Sequence, residues 1–327
     1  MPIVESSTYK NPWWLPGGHL QTIVPALLRR PRLVTTERER LKLPDGDFLD
    51  LDWRREGRNK LAILSHGLEG SSRAIYIQSL ADTLWNEGWD VLAWNCRSCS
   101  GEINRLPRFY HSGVSDDLHM VLDHALQMHA AKQVDLVGFS LGGNVTLKLL
   151  GELAETAPER LHRAVAFSVP CDLASSSKRL ESWFNRKLYM RRFIRPLLEK
   201  VESKRPHHPQ IPDIAPGLKM ETFKQFDDHF TAPLHGFQNA EDYWKRSSSR
   251  PFLPAIRIPT LLVQADNDPF LAEPCYPHTE ARESEAFHLE VTRGGGHVGF
   301  GSPWQNQPWA ESRVVEFFQS PQSQFQT

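Results

Sequence analysis

Gly138-Phe139-Ser140-Leu141-Gly142 follows the apolar run Val134-Asp135-Leu136-Val137 and precedes the helix-like segment Val145 to Leu150. A strand that ends in a sharp turn and runs straight into a helix lifts the central serine clear of the sheet. The flanking glycines fit this turn, because a Cβ there would collide with the neighbouring strand and helix. Ser140 would then sit at the positive end of a helix, with the Leu141 amide aimed at any oxyanion formed on an attacked carbonyl. The pattern alone recurs by chance; its strand-turn-helix setting makes Ser140 a candidate nucleophile.

A serine hydroxyl is a poor nucleophile at neutral pH and needs a base, and the base needs an orienting group. Thr260-Leu261-Leu262-Val263-Gln264-Ala265 reads as a buried strand with Asp266-Asn267-Asp268-Pro269 at its carboxyl end. Phe287-His288-Leu289-Glu290-Val291 alternates like a further strand and leads into Gly294-Gly295-Gly296-His297. Ser, Asp, His is the chain order of the α/β-hydrolases, so His297 is the expected base and Asp268 its partner. Asp268 is preferred over Asp266 because the acid usually falls three positions beyond the residue at Ala265; Asp266 is expected to cap the turn. The oxyanion hole is expected after the third strand, Leu61-Ala62-Ile63-Leu64, where Ser65-His66-Gly67-Leu68-Glu69-Gly70 follows. The Leu68 amide is the expected second donor beside that of Leu141; the plainer alternative is a strand-ending turn at His66-Gly67.

Around these motifs the chain alternates. Leu41-Lys42-Leu43 and Phe48 to Trp53 flank Asp45-Gly46 as a β-hairpin. A strand at Leu61, a helix near Ile75 to Trp85, a strand at Val91, a helix from Asp116 to His129 and a strand at Val134 make a βαβ series. Such a series implies a mostly parallel sheet covered on both faces. Ser115 is a plausible start for the second helix, and Arg163 to Ser168 is the next strand. The expected architecture is an α/β-hydrolase core over 1–171 and 251–327, with 1–40 as an N-terminal arm. Between Asp172 and Arg250 the alternation stops, and 172–250 reads as a mainly helical cap insertion. It is rich in apolar residues (Trp183, Phe184, Leu188, Phe193, Ile194) and in charge (Lys178, Arg179, Arg186, Lys187, Arg191, Arg192). A solvated helix face accounts for the charges most simply; steering an anionic substrate or touching a lipid head group is the sharper alternative. The Gln/Ser-rich tail after Phe318 is expected to fray.

The 327 residues are 40% hydrophobic with a formal net charge of -1, enough for one large core and without the basic balance that nucleic acid demands. No run of 18 apolar residues occurs, and Met1 to Lys10 lacks the regions of a signal peptide, so a soluble, cytoplasmic chain is expected. Cys96-Arg97-Ser98-Cys99 has redox or zinc-knuckle spacing, but no second ligand pair accompanies it. With Cys171 and Cys275 these read as reduced thiols, and His207-His208 reads as a solvated loop. No metal or cofactor is expected.

Further strings complete the picture: Gly18-His19-Leu20-Gln21-Thr22, Leu43-Pro44-Asp45-Gly46-Asp47-Phe48, His66-Gly67-Leu68-Glu69-Gly70 and Cys99-Ser100-Gly101-Glu102. Tyr110-His111-Ser112-Gly113, Phe226-Asp227-Asp228, His235-Gly236-Phe237, Asp268-Pro269-Phe270 and Gly295-Gly296-His297-Val298-Gly299-Phe300 follow in order. Nearly the whole chain thereby resembles the YheT-like abhydrolases, bacterial esterases related to eukaryotic abhydrolase-domain lipases. The resemblance implies a triad on Ser140, Asp268 and His297. Two departures stand out: Ser98 where the family often has glycine, and Asn267-Asp268 where it often has two aspartates. The expected function is cleavage of small-molecule or lipid carboxylic esters through an acyl-enzyme. Acyl transfer on the same triad is the nearest alternative, with an H-x4-D spacing at His111 and Asp116; a non-catalytic binding module is the other.

Overall fold

The computed structural model describes residues 3–30, 32–214, 219–301 and 308–321. Among these residues the frame is a nine-stranded sheet. The strands are β1 (Ile3–Val4), β2 (Glu37–Lys42), β3 (Phe48–Arg54), β4 (Lys60–Ser65), β5 (Asp90–Asn95), β6 (Gln133–Phe139), β7 (Leu161–Phe167), β8 (Thr260–Ala265) and β9 (Phe287–Thr292). Their order across the sheet is β1-β9-β8-β7-β6-β4-β5-β3-β2. From β1 to β5 in that order every neighbouring pair is parallel, and among the described residues only the β5-β3 and β3-β2 pairs at one edge are antiparallel. The expected α/β-hydrolase architecture, a mostly parallel and doubly covered sheet, is what the chain forms.

Both faces are dry, which explains why the parallel strands read as continuous apolar runs instead of alternating ones. Leu61 and Ile63 of β4 face one core together with Leu92, Leu136 and Ala164; Ala62 and Leu64 face the other with Val137, Val165 and Val263. The first face carries α3 (Ser115–Met128), α4 (Leu141–Leu153) and α11 (His278–Arg282); the second carries α2 (Ile75–Asn86) and α12 (Trp309–Gln319). Each fully buried Leu or Phe here contributes about 1.5–3 kcal/mol. Helix α3 does start at Ser115, but the Ser115 hydroxyl receives Lys148 Nζ (2.9 Å) instead of capping the helix. The remaining N-terminal segment carries α1 (Gly17–Leu28), a helix that periodicity did not reveal.

Between β7 and β8 run α5 (Leu173–Leu180), α6 (Trp183–Asn185), α7 (Arg191–Lys204), α8 (Phe223–Phe226), α9 (Ala232–His235) and α10 (Ala240–Ser247), with π-turns at Arg186–Met190 and Asp227–Thr231. Local chemistry starts several of them. Asp172 Oδ1 accepts the Ser175 amide (2.8 Å), Thr222 and Gln225 form a reciprocal capping box, and Asn239 Oδ1 accepts the Asp242 amide (2.9 Å). These helices bury Tyr189, Met190, Ile194, Val201 and Phe230 against Phe109 and Phe270 from the sheet side. The Gln/Ser-rich tail lies mostly outside the described residues.

Candidate active site

The chain passes from β4 to β5 on one side and then crosses back over β4 to β6. The carboxyl ends of β4 and β6 therefore flank a topological switch point, where open α/β sheets form their ligand crevice. Ser140 sits there at φ 52° and ψ -118°, a conformation L-residues seldom adopt, between the end of β6 and the first turn of α4. Such strain costs of the order of 1–3 kcal/mol and persists only where the surroundings dictate it. Here the Ser140 amide donates to Phe167 O (2.8 Å), and its carbonyl accepts the Asn144 amide (3.0 Å). A Cβ on Gly138 would lie 2.5 Å from Gly142 O, and one on Gly142 would lie 2.4 Å from Ser65 O. The two glycines thus let α4, β6 and β4 close on one another.

Ser140 Oγ lies 2.8 Å from His297 Nε2, and His297 Nδ1 lies 2.8 Å from Asp268 Oδ2. The Asp268 side chain is fully buried and that of His297 nearly so. The second Asp268 oxygen accepts the Phe270 amide (2.8 Å), which fixes the carboxylate plane, and the Phe270 ring packs 4.2 Å from the imidazole. Asp266 does something else: its Oδ1 accepts the Gly294 amide (2.7 Å), tying the loop after β8 to the loop after β9.

Helix α1 holds the histidine loop from outside the sheet. Thr22 Oγ1 accepts the His297 amide (2.9 Å), and Gln21 Oε1 accepts both the Gly295 amide (2.7 Å) and Asn267 Nδ2 (3.0 Å). Asn267 Oδ1 in turn accepts the Gly296 amide (3.0 Å). An aspartate at 267 could accept but not donate, so the asparagine departure suits the Gln21 bridge. In the sequence, Gly18 to Thr22 is legible only as a family string, without a task.

On the other side, Leu68 and Leu141 line the same cavity as Ser140 and His297. Neither amide enters a turn or loop hydrogen bond among the described residues. A Cβ on Gly67 would lie 3.2 Å from Ser140 Cβ, so this loop runs directly beside Ser140. Its backbone is heavily braced. Tyr76 Oη accepts the Gly67 amide (2.9 Å), His66 Nδ1 bonds Gly67 O (2.7 Å), and His66 Nε2 accepts the Cys96 amide (3.1 Å). Burial pushes the His66 pKa down to about 4, so the imidazole stays neutral and keeps both bonds. Glu69, at φ 55°, gives its amide to Tyr110 Oη (2.7 Å), while its carboxylate accepts that hydroxyl (2.7 Å) and Lys200 Nζ of α7 (2.8 Å). Lys200 also reaches Cys99 Sγ (3.3 Å). The Glu69–Lys200 pair leaves no local signal in the sequence, because 131 positions separate its members.

The cavity has a volume of about 540 Å³ and a mainly apolar lining that includes Ile23, Leu180, Phe193, Leu197 and Phe226. Asp227 also lines it, bonded to Thr231 Oγ1 (2.6 Å) and Trp244 Nε1 (2.8 Å), and burial pushes its carboxyl up to about 7 against those bonds. His111 and Asp116 do not form a pair of catalytic kind. His111 Nδ1 accepts the Gly113 amide (3.1 Å), whereas the Asp116 carboxylate, 65% exposed, lies 3.3 Å from Arg108. Cys96, Cys99, Cys171 and Cys275 are buried free thiols, and His207 is exposed in a short 3-10 turn. Ser98, the other departure, takes φ 65°, where the family's glycine would be unstrained; its hydroxyl accepts the Asn104 amide (3.1 Å).

The α/β hydrolase fold family model matches residues 62–301, and the chain belongs to that family. It is 35% identical over 308 residues to the Escherichia coli (strain K12) protein named "Putative esterase YheT", covering 91% of this chain and 89% of that one. The resemblance read from the motifs therefore holds. Homo sapiens "Phospholipase ABHD3" is 27% identical over 327 residues, covering 97% of this chain and 79% of its own length. Among solved structures, the Pyrococcus furiosus esterase Pf2001 shares the fold with a TM-score of 0.60 at 17% identity, over 92% of this chain and 99% of that one. Among the described residues no helix is long and apolar enough to cross a membrane.

Proposed function

We propose that the chain is a serine hydrolase that cleaves carboxylic esters through an acyl-enzyme. The observation that carries this is the unbroken line from Ser140 Oγ through the His297 imidazole to the buried Asp268 carboxylate, both links 2.8 Å, opening on a mainly apolar cavity. His297 Nε2 takes the hydroxyl proton as Ser140 attacks the ester carbonyl, and hands it to the departing alcohol. Asp268 keeps the second nitrogen protonated and stabilises the imidazolium while it lasts. The Leu68 and Leu141 amides receive the oxyanion; one such donor is worth about 3–4 kcal/mol of barrier. Water, activated by the same imidazole, then releases the acid. No step calls on a metal or cofactor.

Residues 172–250 form the cap in this reading, and those of its apolar side chains that line the cavity, Leu180, Phe193, Leu197 and Phe226 among them, favour esters with an apolar acyl chain. The esterase and lipase names among the relatives support the same class. A fluorophosphonate probe tests the reading: it should label the native chain on Ser140 and leave Ser140→Ala unlabelled. Hydrolysis of p-nitrophenyl esters of graded chain length then measures the acyl preference. An unlabelled native chain without esterase activity would overturn the proposal.

A further inference from the structure

The stretch from Leu173 to Leu198 contains one acid, Glu181, against Lys178, Arg179, Arg186, Lys187, Arg191, Arg192 and Arg195, in a chain whose overall charge is -1. Arg186 and Arg195 find acidic neighbours, at 3.9 Å from Glu221 and 2.8 Å from Glu199. Lys178, Arg179, Lys187, Arg191 and Arg192 have no ion pair among the described residues. The same stretch exposes three large apolar side chains: Trp183 is 65% exposed, Phe184 51% and Leu188 40%. Lys187 Nζ lies 4.2 Å over the Trp183 ring. Beside them, His19 of α1 packs on Phe184 with ring centroids 4.6 Å apart and bonds Tyr189 Oη (3.0 Å), which brings the exposed Leu20 to the same region. Leu180, Tyr189 and Ile23, from these same elements, line the cavity that holds Ser140.

A solvated helix face accounts for the cations but not for exposed Trp, Phe and Leu among them, since folding leaves such rings in water only at a cost. The combination of apolar anchors interleaved with unpaired Lys and Arg matches a bilayer interface: rings enter the boundary between headgroups and acyl chains while cations meet anionic headgroups. We infer that α5 to the start of α7, together with the Leu20 end of α1, docks the protein onto an anionic lipid surface with the cavity mouth facing the lipid. The inference rests on the ester-hydrolase reading, since it gives the docked face its use: an acyl ester passes from lipid to Ser140 without crossing water.

The test is co-sedimentation of the full chain with phosphatidylcholine vesicles, with or without roughly one-third phosphatidylglycerol. Binding should require phosphatidylglycerol and weaken as salt rises from about 50 to 500 mM. Each cation near an anionic bilayer strengthens binding about fivefold, so Lys187→Glu with Arg191→Glu should lower affinity by more than about tenfold. Trp183→Ser with Leu188→Ser should also weaken binding, and both variants should hydrolyse a water-soluble short-chain ester at the native rate. That soluble assay separates the two readings: an inactive native chain that still binds vesicles indicts the hydrolase reading alone. Failure to bind, equal binding to both vesicles, or charge-reversed variants that bind like the native chain would overturn the docking inference. So would sedimentation velocity showing a dimer in lipid-free buffer that Trp183→Ser with Leu188→Ser dissociates.

Discussion

Two carboxylates two positions apart share one loop, and their hydrogen bonds separate their tasks. Asp268 is buried and divides its oxygens between His297 and the Phe270 amide, whereas Asp266 holds only the Gly294 amide. Asp268→Asn should therefore favour the wrong imidazole tautomer and lower turnover by ~10⁴, as that change does in serine-protease triads. Asp266→Asn keeps an oxygen acceptor at the same place, so its cost should be roughly tenfold or less. Steady-state kinetics on both variants, with circular dichroism to show that each is folded, decide the assignment; the reverse order would move the acid role to Asp266. Ser140→Ala deletes the attacking oxygen alone and should leave less than about one percent of ester hydrolysis with the fold intact. Greater residual turnover would require another nucleophile.

At the scale of elements, two helices outside the sheet, α1 and α7, brace the loops around Ser140 and His297. A Cβ on Gly18 of α1 would fall 1.9 Å from Asn267 O, the carbonyl immediately before Asp268. Gly18→Ala must push α1 and the acid loop apart, and a shift near 1 Å in catalytic geometry can cost about a hundredfold in turnover. Leu27→Ala, on a half-exposed position of the same helix, should stay within about twofold. Similar kinetics in both would detach α1 from the site. From the helices between β7 and β8, Lys200→Met removes the ammonium that Glu69 accepts beside the Leu68 amide. An oxyanion donor acts mainly in the transition state, so kcat should fall roughly tenfold or more with KM little changed; a rise in KM alone would mean that Lys200 serves only substrate binding. These elements also mark how far the sequence could be read. Ser140, Asp268 and His297 sit at strand ends bounded by glycine and proline, where strand and turn chemistry is written in consecutive residues. Helix α1 has no side-chain cap, no acidic first turn, and a proline inside, so nothing local distinguishes it from an irregular arm. Strand β1 is two residues long, too short for any periodicity, and is held by pairing with β9. Lys200 was visible as a charge, but its purpose depends on where the helices between β7 and β8 settle.

For the whole molecule, burial of titratable groups sets how stability follows pH. His66 behind the Leu68 loop and His288 on β9 are both pushed down to about 4 by burial. As pH falls from about 6.5 to 4, the unfolded chain takes up protons on these imidazoles that the folded chain refuses, so stability is lost in that window. Asp227 has the opposite sign. Its ordinary value is 3.8 and burial raises it to about 7, so across that interval the folded chain holds a proton that the unfolded chain has released. Asp227 therefore favours the fold at the acidic end, and its contribution is lost as pH rises towards 7. Burial also lowers His19, His111 and His235 and raises Asp117, so the imidazoles outweigh the carboxyls and the melting temperature should rise between about pH 4.5 and 6.5. Asp227→Asn isolates the opposing group. The variant keeps one oxygen for Thr231 or Trp244 and loses the other bond, so near pH 5 it should be less stable than the native chain by about 1–2 kcal/mol. That deficit should shrink and can change sign by about pH 8, because the native chain must by then hold a charge in an apolar cavity wall while the asparagine remains neutral. Melting curves of both proteins at matched ionic strength give the difference directly. A difference independent of pH would mean that Asp227 is ionised in the fold throughout, and that Thr231 and Trp244 stabilise the carboxylate more than burial opposes it.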